Sequence, residues 1–397
     1  MGALLSAVRW DWFKRSRRWI PWILLALLLV TWAARRSSIS RALTRSASTR
    51  ERGRGGAVGR RKEGLMGSLV NAVRWDWFKL ARRWIPWILL VILLLLSQLN
   101  LLAGFVAYQG LRHAGDPVVA VPRVDGPPIP VRCRDILSGK LDALPEGTPP
   151  EVTDSLRPQC QDEQTQLQRQ LSSQYRDITL PGSIPDALNL GLPVAVILLA
   201  ILTSSHLGAE YAWGTVRTNL VRGIGRWRYL AAKLILLALV SAAALLAIVV
   251  LTAMSSLVAR HFAPPPSELA RAASWSRAAA VLGKGWVALI PYLLLTALAT
   301  LLARSSAAGM AISIGYYMGE HVVVAIVGGL SGRTQTVARY LLGQNIDAWA
   351  GLSLLGLGHT KVGNTHALLV LVAYAMVLAC AAFYVFERRD VAGASAA

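Results

Sequence analysis

The chain has 397 residues, 54% of them hydrophobic, with 14 tryptophans and a formal net charge of +21. A positive mean hydropathy of +0.45 excludes an ordinary soluble multi-domain protein and places most of the apolar surface against lipid. The charge would suggest nucleic acid in a soluble protein but is explained more simply here by loops facing anionic lipid, so no nucleic-acid partner is expected, while three cysteines (Cys133, Cys160, Cys380) without C-x-x-C or Cys/His ligand spacing argue against zinc and redox chemistry.

Residues 1–65 open with a duplicated segment. Met1 to Val30 and Met66 to Leu95 match at a constant offset, with "AVRWDWFK" and "RRWIPWILL" identical in both. Two copies do not make a solenoid, which needs at least three stacked repeats. The apolar run of the first copy, Trp19 to Ala34, is short, and Ala34 to Glu63 holds ten basic residues against two acids among Ser and Gly. That composition predicts a disordered linker. A true span here would send the linker outside against the positive-inside rule, so the first copy is read as interfacial or partly inserted. It also resembles a signal peptide, but no clean small-residue cleavage site comes after it, and the Met-Gly at 66 leaves open a functional start there.

Residues 66–83 predict an amphipathic helix lying in the headgroup layer. Leu69, Val73, Trp77, Leu80 or Ala81 and Trp84 recur at helical spacing, with Arg74, Lys79, Arg82 and Arg83 largely off that stripe. Trp75, Trp77 and Trp84 would anchor at the membrane interface while Arg82 and Arg83 snorkel, before the chain bends at Pro86. An ordinary basic flank is the plainer alternative.

Six apolar windows in this part of the chain are long enough to cross a bilayer: Trp84 to Gln109, Ala187 to His206, Leu230 to Ala259, Ala279 to Ala303, Ser306 to Leu330 and Ala367 to Phe386. The expected fold is thus an all-α integral membrane protein with six spans over 84–109 and 187–389 and a disordered tail, 390–397. With the Arg74 to Arg83 end inside, the flanks on that side carry twelve Lys and Arg and the opposite short loops six. Both termini are therefore expected in the cytoplasm.

The polar segment 110–186 falls outside as a small cap. Its first half, "VPRVDGPPIPVRC", should be extended or looped, and "QDEQTQLQRQLSSQYRD" should be helical. Cys133 and Cys160 lie here, where an oxidising exterior favours a disulfide over two free thiols. Cys380, in the last span, reads as a small core side chain.

Between the second and third core spans stands "EYAWGTVRTNLVRGIGRWRYLAAK", Glu210 to Lys233, with five basic residues against one acid. A short helix at about 210–228, broken by Gly223 and Gly225, would present a basic, aromatic surface beside the bilayer for a soluble partner. The order of an acid, Gly-Thr, Arg, a Gly-containing bend, an Arg-aromatic pair and a Lys opening the next span resembles the permease subunits of type-2 ABC exporters. The positions that carry the resemblance are Glu210, Gly214, Thr215, Arg217, Gly223, Arg226, Trp227 and Lys233, with Arg222 in the same segment. It implies a coupling helix that inserts into a separate ATP-binding subunit, two permease copies around one pathway, and a plasma-membrane location. ATP and Mg would be bound by the partner. The chain itself is expected to be no enzyme: no G-x-x-x-x-G-K-[ST] occurs, and "GLSLLGL" from Gly351 puts Leu357 where the phosphate-binding Lys would stand.

Lys284, Glu320 and His321 fall within spans. Ionisable groups at that depth face the bundle interior or a wet cavity, so they are read either as pathway residues or as a structural set satisfied by backbone or by Tyr316 and Tyr317. Small residues in "SSAAGMAISIG" permit close helix contacts. The segment "GQNIDAWAGLSLLGLGHT" is re-entrant or interfacial. A proton-coupled secondary transporter using Glu320 and His321 is the alternative function, although no inverted repeat is visible. A membrane-anchored interaction protein would leave Glu210 to Lys233 unexplained, and six histidines without H-E-x-x-H, with no G-x-S-x-G at a turn, argue against a hydrolase.

Overall fold

The computed structural model describes residues 65–123, 126–138, 150–216, 225–266, 274–328, 339–351 and 362–388. The expectations for 1–64 and for the tail after Arg388 lie outside these residues. Helix α1 (Leu65–Ala81) meets α2 (Trp84–Ser97) at a tight corner, where the indole Nε1 of Trp87 donates to the Ala81 carbonyl at 2.9 Å. Pro86 sits in the first turn of α2, where its missing N–H costs nothing. At Gln98 the helix is interrupted and resumes as α3 (Leu99–Ala114). The Gln98 amide donates to Thr252 Oγ1 at 3.2 Å, giving a polar side chain in the apolar run an internal partner.

The cap adds a strand pair to a fold expected to be wholly helical. Strands β1 (Val118–Arg123) and β2 (Gly126–Arg132) pair antiparallel, Val119 opposite Val131 and Val121 opposite Ile129. Prolines are tolerated because each strand of a two-stranded sheet has one unpaired edge. The short α4 (Cys133–Leu137) and the long α5 (Pro150–Ile178) come next in the chain, and Cys133 is disulfide-bonded to Cys160 with Cα atoms 5.1 Å apart. Val119, Val121, Val131 and Ile136 pack around that bridge. The far end of α5 lies against α3, with Tyr175 and Ile178 around the fully buried Tyr108.

The bundle is completed by α6 (Ser183–Ala212), α7 (Arg226–Phe262), α8 (Trp275–Ala303), α9 (Ser306–Gly328), α10 (Leu342–Ala350) and α11 (Asn364–Arg388). Helix α8 is the hub, packing on α6, α7, α9, α10 and α11. In α6 and α8, 61% of the most apolar window is buried by protein, against 11% in α11, which separates inner helices from a peripheral one. Where helices touch, small residues hold the contact: a Cβ on Gly208 of α6 would lie 2.7 Å from Ser306, and one on Gly309 of α9 would meet Thr300 of α8. Hydroxyls inside the bundle bond back to their own helices, Thr296 to the Tyr292 carbonyl at 2.8 Å and Thr300 to the Thr296 carbonyl at 2.7 Å.

Among the described residues five helical stretches are long and apolar enough to cross a membrane: Trp84–Ala114, Ser183–Ala212, Arg226–Phe262, Trp275–Ala303 and Asn364–Arg388. The chain is a multi-pass, helical membrane protein. The remaining expected span corresponds to α9, 23 residues long, which is not one of these five. Cys380 is corrected: it is exposed on α11 and not a core side chain, as the low burial of that helix requires.

Candidate functional site

Three helices that leave the bundle at one end are tied together by buried charge. Lys233, near the start of α7, is fully buried, and its Nζ lies 2.9 Å from Glu210 Oε1 on α6 and 3.6 Å from Asp76 Oδ1 on α1. Lys79 adds a second cation, 3.9 Å from each carboxylate, and His206 Nε2 approaches Lys233 at 3.5 Å. The Tyr229 ring lies under the ammonium, 5.0 Å away. Two acids against two lysines leave the cluster balanced, the condition under which charges tolerate a low-dielectric site.

The residues after Glu210 stop α6. Trp213 and Gly214 form the turn, Gly214 with φ +63°, a conformation glycine adopts without strain. The Thr215 hydroxyl donates to the Glu210 carbonyl at 3.4 Å, satisfying a helix-end acceptor. On the far side, Arg226 opens α7 and donates to the Glu387 carbonyl at the end of α11, 2.7 Å away, while Tyr229 stacks on Phe386 at 5.8 Å. Trp227 remains partly exposed beside Arg228. Residues 217–224, with Arg217, Arg222 and Gly223, lie outside the described residues. The expected helix at about 210–228 is therefore redrawn at its ends: Glu210 is the last buried residue of α6, and Arg226, Trp227 and Lys233 belong to α7.

The side of α1 that faces the bundle carries Asp76 and Leu80, and Trp75, Trp77 and Trp84 are exposed. Asp76 turns inward to give Lys233 a second carboxylate. Arg82 lies over Phe78 at 4.1 Å, and Arg83 over Trp213 at 4.9 Å. Asp76 went unnoticed as a site residue, although it is the lone acid in "AVRWDWFK" and helical spacing puts it three residues before Lys79.

Lys284, Glu320 and His321 converge on α10. Glu320 accepts from the backbone N–H of Gly343 at the start of that helix, and Lys284 Nζ lies 4.9 Å over the Trp349 ring near its end. His321 Nδ1 is 2.7 Å from the Tyr317 carbonyl. Glu320 is eight residues before the end of α9, so the first turn of α10 returns roughly 12 Å along it. The start of α10 over 342–350 thus lies beside Glu320 while the rest of the helix packs on α11 and α8, and 352–361 lie outside the described residues.

No curated protein matches the chain, and no solved structure does. Residues 170–392, more than half of the chain and including α6 to α11, match the family described as "Protein of unknown function (DUF2705)". The helices that build the charge cluster from Glu210 and Lys233 therefore lie inside the matched region, and the chain belongs to the DUF2705 family.

Proposed function

We propose that the chain is the permease subunit of an ATP-driven, type-2 ABC exporter in the plasma membrane. In this reading α9 is the fifth of six spans, both termini are cytoplasmic, and two permease copies enclose the pathway. Two ATP-binding subunits, holding ATP and Mg, dock on the segment between α6 and α7. The observation that carries the proposal is the buried Asp76–Lys233–Glu210 cluster at the base of that segment. A push on 217–224 reaches α6 through Glu210, α7 through Lys233 and α1 through Asp76, so three helices respond together. A loop without a coupling role needs no such tie, because exposed ends of membrane helices are satisfied by water.

The test is co-purification of the tagged full chain from its native membrane, comparing wild type with Arg217→Glu plus Arg222→Glu. Retention of a P-loop ATPase by the wild type and its loss from the charge-reversed chain is the expected result. Purification of the intact wild type without any P-loop ATPase, under conditions that preserve other membrane complexes, refutes the proposal.

A further inference from the structure

The same end of the bundle carries a surface independent of what docks on 217–224. The corner between α1 and α2 is closed by two hydrogen bonds, with Arg83 N–H donating to the Leu80 carbonyl at 3.1 Å and the Trp87 indole to the Ala81 carbonyl. It projects Arg82 and Arg83, the latter against Trp213 at the end of α6. Among the described residues neither guanidinium is in an ion pair, because the two nearby acids, Asp76 and Glu210, are engaged by Lys233 and Lys79. Directly beyond the corner, α2 turns an apolar face outward, with Ile85 at 45%, Ile88 at 53% and Leu95 at 54% exposure.

We propose that this corner binds the headgroup of an anionic phospholipid, its phosphodiester held by Arg82 and Arg83 and its acyl chains laid along α2. A guanidinium stacked on an aromatic face keeps its edge N–H donors available, and that fork matches a phosphate. Exposed Trp84 and Trp213 place the corner at the depth where indoles reside, which is also the depth of lipid phosphates. The adjoining apolar face of α2 selects a lipid over a soluble phosphate compound. Internal pairing of Asp76 and Glu210 is what leaves the corner positive, a fact visible only in the structure.

The full chain is reconstituted in nanodiscs of equal parts phosphatidylglycerol and phosphatidylcholine, and the lipids still bound after release are counted by native mass spectrometry. Wild type should retain phosphatidylglycerol preferentially, and Arg82→Gln plus Arg83→Gln should reduce that preference roughly tenfold or more. Arg260→Gln, at the other end of α7, should leave it unchanged. The wild-type preference should also fall as salt rises, a readout that needs no variant. Equal retention of the two lipids by wild type, an undiminished preference in the double variant or at high salt, or displacement of the lipid by excess inorganic phosphate each overturns the proposal.

Discussion

Replacing Lys233 by Met keeps the volume of a fully buried side chain but leaves Glu210 and Asp76, both 5% exposed, without their shared cation. Breaking a buried pair by removing one partner costs about 3–5 kcal/mol. Lys79 stands 3.9 Å from both carboxylates and supplies part of the missing charge, so the lower end, about 3 kcal/mol or roughly a hundredfold in the folding equilibrium, is expected. The assay is denaturant-induced unfolding of the detergent-solubilised chain followed by tryptophan fluorescence. The triple variant Asp76→Asn, Glu210→Gln, Lys233→Met removes all three charges and should recover more than half of the loss, since neutral groups in that space lack the desolvation cost of orphaned ones. A Lys233→Met chain within about 0.5 kcal/mol of wild type, the usual range for surface substitutions, refutes the reasoning. So does a triple variant no more stable than the single one.

Glu320→Gln retains an oxygen for the Gly343 N–H and should keep α10 in place, whereas Glu320→Ala orphans that buried donor at about 1–3 kcal/mol; limited proteolysis within 339–351 should be faster only in the Ala variant. Gly309→Leu forces a side chain into Thr300 and should destabilise the α8–α9 contact by about 1–3 kcal/mol, read as a lower midpoint in the same unfolding assay. Cys133→Ser opens the cap and should cost it about 2–4 kcal/mol; because the bridge joins the start of α4 to α5 and no spanning helix, hydrogen exchange should rise in 118–137 and 150–160 and stay unchanged in α8.

The spanning helices are legible in the sequence because each is a long apolar run, and length alone separates such runs from soluble helices. Their ends are less so: α7 reaches from Arg226 to Phe262, several residues beyond its apolar window at both sides, because polar residues continue a helix once the chain leaves lipid. The β-hairpin is hidden by its prolines, which suit an edge strand as well as a loop. Glu210 and Lys233 stand out through their place around the basic segment, but the third member does not. An aspartate flanked by tryptophans in a basic helix reads as surface until α1 is seen packed on α7. Likewise the depth of Glu320 is readable and its partner is not, since the backbone N–H of Gly343 carries no sequence signal.

Helices α6 and α7 are bonded to each other near both ends, Glu210 to Lys233 at 2.9 Å and Ser183 to Ser256 at 2.7 Å. Those two ties stand about 40 Å apart along α6. Antiparallel helices held at two distant points slide past one another or splay from one side only by breaking a tie. The second tie lies at the start of α6, just after the end of α5 of the disulfide-bonded cap. The interruption at Gln98, between α2 and α3, is by contrast a break in a spanning helix and the place where its two halves can bend relative to each other.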